Sequence, residues 1–216
     1  MYEESKKINF KSPKKETPFA PEWDYLICEK MVDNINTKKL KTFLLKKEKE
    51  VKKLPDTVDA YTGLKNSTTS RFPIYNVFNW KNKEINLLKK YVIKLHNYFL
   101  KTRNLKKPKK LFANCWFNCM STGESIKIHL HGTSSQLYLG GHFTVACKNT
   151  STFYVNPVNQ INDPVVYKSI NKEGRLTLFE NTIPHYTDVH EGKEKRITIA
   201  FDLRIHNNHS NLVRLY

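Results

Sequence analysis

From Leu111 onward the chain is divided into short segments rich in Phe, Tyr, Val, Ile and Thr, separated by turn residues. This texture limits the fold more than any other feature. The segments fall at 111–120, 125–131, 136–147, 152–155, 164–168, 175–180, 185–190 and 196–205. Short strands at this spacing predict an antiparallel sandwich or barrel. Upstream, Ile85, Leu88, Val92, Leu95 and Phe99 recur at intervals of three and four, which predicts an amphipathic helix from about Lys83 to Arg103. Its apolar stripe needs a sheet to cover, and Pro108 in the basic segment after it stops the helix. The fold class expected is mainly β (α+β), with N-terminal helices packed on one sheet.

The rest of the chain divides around this core. Residues 1–19 are basic and polar and read as a flexible tail. Residues 20–110 read as a helical region that buttresses the sheet, with loop chemistry over Asp56–Trp80 and a short strand near Ile74–Phe78. The β core is expected over 111–206, and 207–216 as a C-terminal tail.

With 39% hydrophobic and 12% aromatic residues the chain can bury a core, which excludes global disorder. No apolar run approaches the roughly 18–20 residues that a membrane span needs, so no membrane association is expected. The first residues lack the apolar stretch of a secretory signal, and the four cysteines form no CxxC pair. An intracellular, cytoplasmic setting follows as the expectation. The net charge of +17 calls for an anionic partner such as a nucleic acid, an acidic protein or an anionic cosubstrate.

The chemistry concentrates on histidines. If Ile126–His131 is a strand, His129 and His131 share one face, with Cα atoms about 6.5–7 Å apart, a separation that two ligands of one metal can bridge. Ile126, Ile128 and Leu130 then lie on the other face, against the N-terminal helices. Downstream, Pro184-His185 leads through Glu191-Gly192 into Arg196-Ile197-Thr198. A hairpin turning at Glu191-Gly192 places His185 opposite Thr198, with Arg196 on the same face. Neutral imidazoles suit iron, zinc, copper or nickel, and an arginine on the same wall offers a bidentate fork for a carboxylate. Asn118 shares a strand face with Trp116 and is a further candidate for cosubstrate contact. His142, His190, His206 and His209 have no evident partners and read as surface or structural residues.

Taken together, Trp116-Phe117-Asn118, Gly123, His129-Leu130-His131, Gly141-His142-Phe143-Thr144-Val145, Gly174-Arg175-Leu176-Thr177-Leu178-Phe179, Pro184-His185 and Arg196-Ile197-Thr198-Ile199-Ala200-Phe201 carry a resemblance. Residues 112–202 resemble the double-stranded β-helix (jelly roll) core of iron(II)- and 2-oxoglutarate-dependent oxygenases. The nearest likeness is to the small prolyl-hydroxylase-like branch of phages, bacteria and large DNA viruses; for a viral protein the setting would be the host cell. The resemblance implies a dioxygenase that consumes 2-oxoglutarate and O2, releases succinate and CO2, and hydroxylates a C–H bond, by family analogy that of a protein side chain such as proline. It implies iron(II) on His129, His131 and His185, and 2-oxoglutarate bound by Arg196, Thr198 and Asn118. The spacing of His185 and Arg196 matches that of the family's distal histidine and its carboxylate-binding arginine.

His131 stands where the family carries Asp or Glu. Three readings follow: a three-histidine site, a carboxylate supplied by Glu124, Asp163 or Asp188, or a chain that does not work as an oxygenase. A cupin-type metal enzyme shares the fold and the Gly123…His129-Leu130-His131 spacing, but that label does not account for Arg196 or Thr198. The non-enzyme alternative is a basic nucleic-acid-binding module on a jelly roll.

Overall fold

The computed structural model describes residues 5–56, 62–64, 66–132, 134–136, 138–158, 165–208 and 211–216. Among these residues, ten strands form two antiparallel sheets: β1 (Lys6–Lys11), β2 (Asp24–Met31), β3 (Phe112–Met120), β4 (Leu139–Ala146), β5 (Ser151–Val155), β6 (Val166–Ile170), β7 (Arg175–Glu180), β8 (His185–Thr187), β9 (Arg196–Arg204) and β10 (Val213–Arg214). The larger sheet runs β1-β2-β7-β4-β9-β3-β10 and the smaller β6-β5-β8. This is an antiparallel sandwich, as the strand texture predicts, in the jelly-roll form that the resemblance implies.

Two helices, α1 (Thr37–Val51) and α2 (Lys83–Thr102), lie on the outer face of the larger sheet, over β2, β4 and β7. Each begins at an asparagine, Asn36 or Asn82, whose side chain accepts a hydrogen bond from a free N–H of the first turn. Leu88, Val92, Leu95 and Phe99 of α2 are buried against the sheet, as their periodicity predicts. From the sheet side, Ile197, Ile199, Phe201 and Leu203 of β9 meet the helices, while the alternate residues Arg196, Thr198, Ala200 and Asp202 line a cavity between the sheets. A second, smaller core of Phe10, Ile27, Tyr154, Phe179 and Ile183 joins the sheets beside that cavity.

The N-terminal expectations need correction. Lys6–Lys11 is not part of a flexible tail but the edge strand β1, paired with β2 from Lys6↔Glu29 to Lys11↔Asp24. Ile8 and Phe10 face inward at period two, a signal hidden by the lysines that guard an exposed edge. Asp24–Met31 is a strand, not a helix: Leu26, Ile27 and Cys28 are all fully buried, because helices cover one face of β2 and the small core the other. A strand buried on both faces has no alternation to read. Val213–Arg214, expected in a C-terminal tail, pairs with β3. The strand expected near Ile74–Phe78 is replaced by a short 3-10 turn at Val77–Asn79.

Candidate metal centre

His129 and His185 form an isolated antiparallel bridge, with backbone N–H···O distances of 3.1 and 2.9 Å. The stretch carrying His129 is therefore not a strand of the main sheet. It runs along β8 at the edge of the smaller sheet, held also by Thr187 N–H to the Ile126 carbonyl at 3.0 Å. Two further expectations fall with it. Ile128 and Leu130 do not pack on the helices but are 58% and 39% exposed. His185 and Arg196 do not share a hairpin either: β8 pairs with β5, whereas β9 lies between β4 and β3 in the opposite sheet. The residues face one cavity because the two sheets face each other across it, a relation that strand periodicity alone cannot distinguish from pairing.

Within that cavity the three predicted histidines converge. Their candidate ligand nitrogens all lie within 4.8 Å of one another. Ring centroids are 4.3 Å apart for His129–His185, 5.0 Å for His131–His185 and 5.6 Å for His129–His131. Each ring is oriented by its Nδ1. That of His129 meets the Lys127 carbonyl at 2.8 Å, that of His185 the Ile183 carbonyl at 3.0 Å, and that of His131 the Asp202 carboxylate at 2.5 Å. A carbonyl only accepts, so Nδ1 of His129 and His185 carries the proton and Nε2 keeps its lone pair. Burial, reinforced by the neighbouring imidazoles, lowers the His129 pKa to about 4 and pushes that of His185 well below its usual value. Neutral rings with a bare Nε2 are the form in which imidazole binds a metal.

Arg196 is 2% exposed on the wall of the same cavity. Among the described residues its Nη1 meets only the Met120 sulfur, at 3.0 Å, and its Nε has no partner. Burial lowers its pKa to about 10, still cationic at neutral pH. A buried guanidinium without a carboxylate is strongly unfavourable unless an anion completes it. Thr198 stands two residues further along this face, opposite Thr144, whose Oγ1 is buried and unbonded. Asn118 pairs with Thr198 across the strands and accepts through Oδ1 from the Thr69 hydroxyl.

All six residues singled out from the sequence line this cavity, about 410 Å³ in volume. Reading the sequence missed Asp202 and His142. His142, read as surface or structural, is held inside the fold: it lines the cavity, with Nε2 2.6 Å from the Tyr154 hydroxyl. Strand alternation from Gly140 through His142 to Thr144 carried that signal, as did alternation along β9 for Asp202. Of the carboxylates considered as alternatives, Glu124 bonds the Ser121 N–H and Asp188 the Ser151 N–H, and neither joins the histidine cluster. Asp163 and His209 lie outside the described residues.

Residues 114–202 match the profile of a family described as "Putative 2OG-Fe(II) oxygenase". The jelly-roll core of this chain, a little under half of its length, is thus similar to that family of iron(II)- and 2-oxoglutarate-dependent oxygenases. The fold is shared with HygX of Streptomyces hygroscopicus, solved with nickel and 2-oxoglutarate bound (TM-score 0.51, 11% identity, 83% of this chain and 82% of that one). It is shared too with SnoN, an α-ketoglutarate-dependent epimerase of nogalamycin biosynthesis (TM-score 0.51, 8% identity, 82% and 76%). The viral collagen prolyl hydroxylase of Paramecium bursaria Chlorella virus-1 aligns at TM-score 0.48 and 11% identity over 82% of this chain and 95% of that one. A comparison with curated protein sequences gives no match.

Proposed function

We propose that this chain is a dioxygenase that couples the oxidation of 2-oxoglutarate to the hydroxylation of a C–H bond, with His129, His131 and His185 holding iron(II). The observation that carries this reading is one cavity that joins three imidazoles, two of them fixed with Nε2 bare, to a buried guanidinium without a counter-ion among the described residues. A site built only to bind metal has no use for Arg196. Bound iron(II) supplies O2 activation driven by decarboxylation of 2-oxoglutarate, giving succinate and CO2.

The protein's own residues orient the cosubstrate. Arg196 offers its fork to the distal carboxylate, where low polarity strengthens the ion pair and the planar donors fix its direction. The hydroxyls of Thr198 and Thr144 stand beside that position, and the amide of Asn118 faces the same space. Trp116 and Phe72, 5.4 Å apart, wall the cavity with aromatic surface that sheds water. For the substrate, the family likeness favours a protein side chain such as proline, which would appear as a gain of one oxygen in peptide mass spectra. The charge of +17 keeps a nucleic acid as the other class, recognised by binding that weakens steeply with salt.

The direct test is anaerobic titration with iron(II), with and without 2-oxoglutarate, following the visible metal-to-ligand charge-transfer band. Wild type is expected to give the band and Arg196→Ala to lose or shift it. No band in the wild type, or an unaltered band in Arg196→Ala, overturns the assignment. A cupin-type enzyme would bind the metal and ignore 2-oxoglutarate.

A further inference from the structure

Behind the histidine cluster, Asp202 is the one acidic residue among the described residues that line the cavity. Its carboxylate lies 2.5 Å from Nδ1 of His131, and the two side chains are only 10% and 8% exposed. Asp202 reaches this position because β9 alternates: it shares the inward face with Arg196 and Thr198 and sits level with Gly140 on β4. The approach is tight. A Cβ on Gly140 would fall 3.0 Å from Nδ1 of His131 and 2.4 Å from Oδ1 of Asn181. The His131 backbone is fixed as well, by its N–H to the Asn181 carbonyl at 3.1 Å, and its ring packs on Trp116 and Phe179 at 5.9 and 5.8 Å.

We propose that Asp202 is the positioning residue of the metal centre, holding His131 by Nδ1 and supplying from one bond further out the negative charge that a directly ligating carboxylate would bring. The inference rests on the metal-site reading above and goes beyond it. A carboxylate behind a ligating imidazole fixes the ring's direction, keeps the proton on Nδ1 and makes Nε2 a stronger donor. Charge favours it too before the cosubstrate binds. Three neutral imidazoles leave a divalent ion uncompensated in a cavity that already holds the cation of Arg196, and Asp202 offsets that excess without occupying a coordination position. His131 in the place of an acid is then a displacement of the carboxylate, not its loss.

The test uses cobalt(II) as the probe, titrated anaerobically into the metal-free protein and followed by its visible d–d bands. Asp202→Asn is expected to bind cobalt(II) 10–100-fold more weakly than wild type and to shift the bands, with melting of the metal-free protein unchanged; Asp202→Glu is expected to recover part of the loss. Asp202→Asn affinity within threefold of wild type, while His185→Ala abolishes binding, overturns the role of Asp202 and leaves the metal site standing. Wild-type affinity in His131→Ala with loss in Asp202→Asn makes Asp202 a direct ligand and overturns the positioning role. No cobalt(II) binding by the wild type removes the metal site itself. Independently of any variant, the imidazole nitrogens of His131 in the metal-free wild type should show by NMR a protonated Nδ1 and a bare Nε2; the opposite tautomer overturns the proposal.

Discussion

Arg196 Nε and Thr144 Oγ1 are both buried without a hydrogen-bond partner among the described residues, and under the proposed function both would serve the carboxylate of 2-oxoglutarate. Thr144→Val keeps the shape and removes the orphan. It should leave the metal-free protein as stable as wild type or slightly more so, while weakening 2-oxoglutarate about 5–10-fold, as expected for one lost hydrogen bond. Equilibrium binding of 2-oxoglutarate to the metal-loaded protein, beside melting of the metal-free form, checks both halves. Another residue sets a pH dependence away from the site. His96 is fully buried on α2, 2.7 Å from the Tyr138 hydroxyl, and burial lowers its pKa to about 4. The unfolded chain takes up this proton below about pH 6.5 and the folded one only near pH 4, so stability falls as pH drops through that window. At pH 4.5 the contribution lost is roughly 2–3 kcal/mol. In urea unfolding, His96→Leu should show a correspondingly smaller loss between pH 7 and 4.5, whatever its stability at pH 7.

At the scale of elements, β1 and β9 carry the clearest expectations. Although rich in lysine, β1 places Phe10 in the small core beside Ile27, Phe179 and Ile183, and Phe179 in turn packs on His185 with centroids 4.7 Å apart. Amides of β1 should therefore be protected in hydrogen exchange, where a flexible tail would exchange at once. Phe10→Ala should lower unfolding stability by about 3–4 kcal/mol. The helix-facing side of β9 is as demanding. A Cβ at Gly141 would meet the Phe201 ring at 2.5 Å and the Thr177 carbonyl at 2.6 Å, so Gly141→Ala should destabilise by about 1–3 kcal/mol and raise the unfolding rate.

For the whole molecule, a metal held by the three proposed histidines would link the sheets. His185 belongs to the smaller sheet, whereas Asp202, behind His131, belongs to the larger one, so an ion bound there would tie the two halves of the jelly roll together. Nickel(II) at 100 times its dissociation constant should add about 2.7 kcal/mol of stability. For a domain of this size that is roughly 5–10 °C in Tm. The shift should vanish in His185→Ala and on chelation, as measured by calorimetry. No helix among the described residues is long and apolar enough to cross a membrane.

By itself the sequence determined what periodicity and residue chemistry encode. The apolar stripe of α2, the inward face of β9 and the strand texture after Leu111 predict an antiparallel sandwich or barrel with a helical buttress, and the family resemblance narrows it to a jelly roll. The residue types at 129, 131, 185 and 196 predict a metal beside a carboxylate-binding arginine. Periodicity fails where a strand is covered on both faces, as in β2, or guarded by lysines, as in β1. It is silent about which strands pair, and the hairpin expected between His185 and Arg196 is replaced by two sheets facing each other. Only the tertiary structure decided what stands behind each functional side chain. Asp202 and His131 lie 71 positions apart in the chain, yet their contact sets how an imidazole can serve in an acid's place. Such contacts depend on the approach of distant strands, and no local pattern records them.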